Sequence, residues 1–210
     1  KENAIIRKLP SVETLGSVNI ICSDKTGTLT INKMTVKKFY INGETKNLEE
    51  IDIKNDESKL LVDGMILCND ATSKDGVQTG DPTEVALIDV GNKINIFKED
   101  LNKAHKRVNE IPFDSDRKLM TTVNTYDKVF NVFTKGAIDS ILKISNKILI
   151  NGEIKDFTKE EKEKVLMASN LMSDDALRVL ALGYKVIDTE HVAIDDLEKD
   201  LIFVGLMGMI

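Results

Sequence analysis

Ile20-Ile21-Cys22-Ser23-Asp24-Lys25-Thr26-Gly27-Thr28-Leu29-Thr30 is the stretch on which the reading of this chain turns. Val18 to Cys22 is an apolar run short enough for one buried strand, expected over residues 18–23. It breaks at once into small, polar and glycine residues. A strand ending in such a loop presents its first carboxylate, Asp24, at the carboxyl end of a sheet, where open α/β sheets bind ligands. Lys25 adds a positive charge, and Gly27 lets backbone N–H groups approach an anion with no Cβ in the way. Thr26, Thr28 and Thr30 add hydroxyls. A carboxylate, a cation, a glycine and hydroxyls on one loop suit phosphate chemistry better than core packing. An isolated Asp24 would read as a turn or helix-capping residue.

Outward from that loop the pattern changes. Met34 to Ile41 reads as a strand ending in the turn Asn42-Gly43, so a domain boundary is placed near Asn32-Lys33. Residues 44–56 are charged and expected as a surface loop. Leu60, Leu61, Gly64, Met65 and Cys68 follow helical spacing over 57–68, and Asp70 to Gly80 reads as a loop. Asp81-Pro82-Thr83-Glu84 has the grammar of a helix start, with Asp as N-cap and Pro at the first position. Strands are expected near 106–112, 118–126 and 128–135, then a short helix at 137–143 and a hairpin over 145–155 turning on Asn151-Gly152. Thr158 and Glu161 form a capping-box pattern for a helix over 158–173. Val179 to Ile187 and Leu201 to Met209 close the chain as strands. The fold class is α+β, an antiparallel sheet flanked by helices over residues 33–200. It is preceded by a partial α/β domain over 1–32 and followed by a return strand over 201–210.

Composition narrows the function classes. The 210 residues are 41% hydrophobic and 30% charged, an ordinary globular balance. A net charge of −6 argues against a nucleic-acid partner, which needs a basic face. Cys22 and Cys68 sit in apolar patterns and read as buried free thiols in a reducing compartment. His105 and His191 lack Cys or His neighbours at ligand spacing, against a zinc site. No apolar run reaches the roughly 18 residues of a membrane helix. The chain stops directly after the apolar run Leu201 to Ile210, which reads as a segment excised from a longer protein. Without neighbouring strands, residues 1–30 are expected to be mobile or stabilised by another molecule.

The octet Ser23 to Thr30 resembles the phosphorylation motif of P-type ion-pumping ATPases. The resemblance implies that Asp24 attacks the γ-phosphate of ATP and becomes an aspartyl phosphate, with Lys25 beside it. It also implies Mg²⁺ held by Asp24 and the carbonyl of Thr26, and a haloacid-dehalogenase-like fold for the partial first domain. Phosphatases of the haloacid-dehalogenase type, with a large cap domain, are the rival class. They carry a second Asp two residues after the nucleophile, where this chain has Thr26, which cannot act as a general base near neutral pH. A non-catalytic nucleotide-sensing module is the third reading.

The rest of the chain is similar to the nucleotide-binding domain of the same pumps. Gly80-Asp81-Pro82-Thr83-Glu84 resembles the acidic motif whose Glu84 equivalent reaches the adenine amino group, although helix capping explains Asp81 and Glu84 almost as well. Phe113-Asp114-Ser115-Asp116-Arg117-Lys118 resembles the segment whose aromatic stacks on adenine, with Lys118 close behind; Ser115 stands where calcium-pump relatives often have Arg. Lys135-Gly136-Ala137 resembles the nucleotide-site lysine motif, followed by Ile138-Asp139 where Pro-Glu is frequent. Arg178 matches an arginine that contacts the nucleotide phosphates. No Gly-x-x-x-x-Gly-Lys-Ser/Thr sequence is present, which excludes a Walker-type site. Lys8-Leu9-Pro10-Ser11-Val12-Glu13-Thr14-Leu15-Gly16 resembles the segment before the phosphorylation loop in calcium-type pumps, the one ion-specific hint in the chain, and it points toward Ca²⁺ as the transported cation. The resemblance implies a multi-pass parent in the cell membrane with this segment on the cytoplasmic side. Its partners would be ATP, the cation and the other domains of the same chain. It further implies hinges near Asn32-Lys33 and beyond Gly208, and a segment that by itself binds ATP but does not phosphorylate itself.

Overall fold

A computed structural model describes residues 16–20, 22, 33–74, 77–189 and 191–210. The chain divides into two units, Lys1–Lys33 and Met34–Ile210. In the first, Asp24, Lys25 and Thr26 lie outside the described residues, as do Ile21 and Ser23 of the expected strand. Val18, Asn19, Ile20 and Cys22 are described, and all four are exposed and in no strand. The expected strand over 18–23 is thus absent at these positions, and Cys22 is exposed rather than buried. A single apolar run becomes a strand only where a neighbour takes its backbone hydrogen bonds, and no described strand pairs with these residues.

The second unit is built on a sheet of nine strands among the described residues, in the order β2-β1-β11-β10-β7-β6-β5. These are β1 (Val36–Ile41), β2 (Glu44–Asn47), β5 (Arg107–Asp114), β6 (Leu119–Tyr126), β7 (Val129–Gly136), β10 (Arg178–Ile187) and β11 (Leu201–Met209). The hairpin of β8 (Ser145–Ile150) and β9 (Glu153–Asp156) joins through β8, which runs parallel to β11 at Leu201–Phe203. β1 pairs with β11 further along, at Leu206–Met209. Residues 201–210, expected as a separate return strand, therefore form the strand that ties both hairpins to the rest of the sheet. A separate small ribbon pairs β3 (Thr72–Lys74) with β4 (Val77–Thr79).

The two hairpins turn as their sequences demand. Asn42 and Gly43 have φ of 53° and 81°, and Asn151 and Gly152 have 50° and 76°. Two consecutive positive φ values match the twist of the flanking strands, and Asn-Gly adopts them most readily. The turns also touch: the Asn151 N–H donates to Asn42 Oδ1 at 2.9 Å.

Strand periodicity sends alternate side chains to opposite faces. On one face Phe39, Met120, Phe133, Leu182 and Met207 pack under α1 (Asp56–Leu67) and α2 (Pro82–Lys93). On the other, Tyr40, Leu119, Ala181 and Leu206 meet α4 (Ile138–Ile144) and α5 (Lys159–Asp174). The helices begin where the sequence predicts because their caps are present. Asn55 Oδ1 accepts from the Ser58 N–H at 2.9 Å, and Asp81 Oδ1 accepts from the Thr83 N–H at 2.8 Å. Thr158 Oγ1 accepts from the Glu161 N–H at 3.3 Å.

Four segments differ from expectation. The charged stretch after Gly43 carries β2 and a 3₁₀ turn, Leu48–Glu50, whose Leu48 is buried. All four residues of β2 are exposed, so an edge strand formed here without an apolar signal. The expected loop 70–80 holds β3 and β4. Helix α3 (Lys98–Ala104) has no buried residue and hence no apolar stripe to predict it. A one-turn helix, α6 (Ile194–Leu197), inserts only Leu197 into the small cluster around Val123 and Val132.

Candidate functional site

A cavity of about 220 Å³ opens where α2 meets the ends of β5, β7 and β10, lined by Asp70, Asp81, Thr83, Glu84, Phe113, Lys135, Gly136, Arg178 and Leu180. Its wall changes character from floor to rim. Lys135 and Glu84 form the floor. Lys135 is buried on β7 at 5% exposure, and its Nζ meets Glu84 Oε1 at 2.6 Å. The second carboxylate oxygen of Glu84 accepts from the backbone N–H groups of Asp70 at 3.1 Å and Ala71 at 3.2 Å. A carboxylate with two oxygens and about four acceptor positions keeps room for one more donor.

The rim is open. Phe113 is 62% exposed although it belongs to β5. The pairing of β5 with β6 shifts register between Ile111 and Asp114, so Phe113 sits in a bulge with Pro112, which has no N–H to give the ladder. The following turn is rigid. Asp114 Oδ1 accepts from the N–H groups of Asp116 at 3.0 Å and Arg117 at 2.9 Å, and Arg117 Nη2 returns to the Pro112 carbonyl at 2.7 Å. These bonds, the one from the Arg117 amide foremost, hold the Asp114 carboxyl below its usual range. Arg178 is exposed at the start of β10, and no described residue pairs with its guanidinium.

Behind Glu84 the end of α1 is wrapped in cations. Arg107 Nη2 donates to the carbonyls of Leu67 at 3.0 Å and Asn69 at 2.8 Å, while Nη1 reaches Asp70 Oδ1 and Glu110 Oε2, both at 2.7 Å. Lys98 Nζ donates to the carbonyls of Asn69 and Ala71, both at 2.6 Å. Carbonyls at a helix end have no intrahelical partner, and cations satisfy both them and the helix dipole. Burial first, then the neighbouring Arg107 charge, pulls the Lys98 ammonium down to about 8. Burial pushes the Cys68 thiol up; its Sγ lies 3.2 Å from the Met120 carbonyl.

The structure gathers Glu84, Phe113, Lys135, Gly136 and Arg178, expected from separate motifs, around one cavity. Lys118 is not among the lining residues. It is exposed, with φ of 57°, at the foot of the β5–β6 turn, where its carbonyl accepts from the Ala137 N–H at 3.1 Å. Asp70 and Leu180 line the cavity and were not anticipated. Leu180 could have been found, since it lies two residues after Arg178 and so on the same face of β10. Asp70 carried no signal, because its place depends on the Arg107 contact from a distant strand.

The second unit is thus a helix-flanked, largely antiparallel sheet with a cavity where α2 meets the strand ends. The family model described as P-type ATPase, cytoplasmic domain N, matches residues 57–210, and the chain belongs to that family. It is 53% identical over its full length to "Calcium-transporting ATPase 1" of Bacillus cereus and 45% identical to "Calcium-transporting ATPase 1" of Lactococcus lactis. It is 38% identical to "Calcium-transporting ATPase 1" of Saccharomyces cerevisiae. All of this chain is covered in each comparison, against 24% of each relative, so it spans about a quarter of the length of the curated relatives it matches.

Proposed function

We propose that this chain is the ATP-binding segment of a cation-transporting P-type ATPase, with the base of ATP in the cavity between Phe113 and Glu84. The observation that carries this reading is the convergence of five residues from four separate motifs on one cavity. At about 220 Å³ the cavity is smaller than the roughly 300–1,000 Å³ that encloses a whole drug-sized ligand, so it suits one end of a nucleotide. The distribution of charge says which end. Glu84, Asp70 and Asp81 disfavour phosphates on the floor, and Lys135 is already neutralised by Glu84. The exposed ring of Phe113 offers a face for stacking, and the remaining acceptor position of Glu84 suits an exocyclic amino group. Arg178 and Lys118, both exposed, would meet the phosphates outside.

The longer parent would pass the γ-phosphoryl group to Asp24 and couple breakdown of the aspartyl phosphate to cation movement across the cell membrane. This segment would then lie on the cytoplasmic side. The names of the relatives support Ca²⁺ as the cation. Mg²⁺ would be held by Asp24 and Thr26, which lie outside the described residues. Among the described residues no helix is long and apolar enough to cross a membrane.

Titration of ATP against wild type, Phe113→Ala and Lys135→Ala tests the site. Weaker binding in both variants is expected, and unchanged affinity in both would remove these residues from it. Incubation with γ-labelled ATP and Mg²⁺ should leave this chain unlabelled. The full-length parent should carry label that disappears in Asp24→Asn.

A further inference from the structure

The cavity's acidic wall is held from behind by residues that do not line it. Glu84 takes its orientation from three donors: Lys135 and the N–H groups of Asp70 and Ala71. Those two N–H groups belong to a turn after α1 that has no regular backbone pairing until β3 begins at Thr72. Its position is set by the cations beneath it. Arg107 spans the turn with its two terminal nitrogens, taking the Leu67 and Asn69 carbonyls on one and Asp70 Oδ1 on the other. Lys98 takes the Asn69 and Ala71 carbonyls from α3. Asn69 closes the loop: its Nδ2 donates to the Glu84 carbonyl at 2.9 Å and its Oδ1 accepts from the Ala71 N–H at 2.8 Å.

We infer that Arg107, supported by Lys98, is a positioning residue that sets the base specificity of the cavity by fixing the 69–71 turn on which Glu84 is oriented. This inference rests on the reading of the cavity as the base site of a nucleotide. The physical reason is the fork geometry of the guanidinium, whose planar array of donors holds two carbonyls and a carboxylate at fixed mutual angles; an ammonium such as that of Lys98 can meet two carbonyls but imposes no such planar geometry. With the fork removed, the turn keeps its covalent path but not the angle at which its N–H groups meet Glu84. The carboxylate then relaxes toward Lys135, and its free acceptor position no longer faces the cavity.

The test compares ATP with inosine triphosphate, which carries a carbonyl where adenine has its amino group. Wild type should prefer ATP by about tenfold or more, because a site built to accept a hydrogen bond rejects an analogue that lacks the donor. Arg107→Met should lower ATP affinity by about tenfold while inosine triphosphate changes by less than about twofold, so that the preference collapses. Arg107→Lys, which keeps the charge without the fork, should show most of the same collapse, and it carries the readout should Arg107→Met fail to fold. A merely structural helix-end contact would lower the melting temperature and weaken both nucleotides together. That outcome, or an unchanged ATP preference, overturns the inference alone. Failure of wild type to bind either nucleotide removes the underlying reading of the cavity and the inference with it.

Discussion

Lys135 Nζ and Glu84 Oε1 meet 2.6 Å apart, with their side chains only 7% and 17% exposed. One group comes from the middle of the sheet and the other from the first turn of α2, so the pair fastens helix to sheet at the floor of the cavity. Its two halves are not equivalent. Glu84 has two backbone donors besides Lys135, whereas the Lys135 ammonium is shown with Glu84 as its hydrogen-bond partner.

That asymmetry predicts unequal costs. Breaking a fully buried pair costs about 3–5 kcal/mol, because the survivor is left charged and unpaired. Glu84→Ala strands the more deeply buried ammonium and also frees the turn, so a loss of about 2–4 kcal/mol is expected on the same grounds. Lys135→Met leaves a carboxylate with two N–H donors and adds apolar packing, so it should cost less. Urea unfolding of both variants checks the order, and a larger loss for Lys135→Met would overturn it.

Phe113 separates stability from binding. An exposed ring contributes little to the core, so Phe113→Ala should change unfolding free energy by no more than about 0.5 kcal/mol. Stacking of a base on an aromatic face contributes about 1–3 kcal/mol, so ATP affinity should fall by roughly five- to 150-fold. Calorimetric melting and ATP titration on one preparation give both numbers. A stability loss with no loss of affinity would assign the ring to packing.

Lys98 makes a prediction about pH. Its folded value of about 8 lies below that of a free lysine near 10.4. Between these values the unfolded chain binds more protons than the folded one, so this group makes stability rise with pH from about 8 to about 10.4. Below pH 8 both states are protonated and the cost of burying the charge is borne in full. Urea unfolding at pH 7.5 and 9.5 should show wild type gaining relative to Lys98→Met, by about 1 kcal/mol after allowance for partial solvent exposure. A constant difference would mean that burial does not perturb this ammonium.

Two glycines should respond differently to alanine. At Gly136 an added Cβ would lie 2.1 Å from the Lys118 carbonyl oxygen, a backbone atom that cannot turn aside. At Gly64, in α1, it would meet Leu182 Cδ2 at 2.6 Å and Phe133 Cδ1 at 2.9 Å, both on side chains that can shift. The helix also gains about 1 kcal/mol from Gly to Ala. Gly136→Ala should therefore lower the melting temperature markedly more than Gly64→Ala, with overpacking costs of about 1–3 kcal/mol as the scale. Equal melting temperatures would show that the Lys118 turn yields easily.

Much of the second unit could be read from local chemistry. Asn42-Gly43 and Asn151-Gly152 named their hairpins because few other pairs tolerate two positive φ values. Asp81-Pro82 and Thr158 named their helix starts through capping. The segments that escaped are those whose structure owes nothing to an apolar pattern, such as β2 on the sheet edge and α3 on the surface. The expected strand at 18–23 shows the converse. An apolar run signals burial, but it becomes a strand only where another strand accepts its hydrogen bonds.

The sequence by itself determined the periodicities and the caps and turns, because each depends on neighbours a few positions away, and it carried the motifs that hold Glu84, Phe113, Lys135 and Arg178. Only the tertiary structure decided that these motifs share one cavity, that Glu84 is already paired with Lys135, and that Arg107 and Lys98 hold the turn behind it. Those facts depend on contacts between residues 27 to 51 positions apart, whose geometry is set by how helices and strands pack and not by any local pattern.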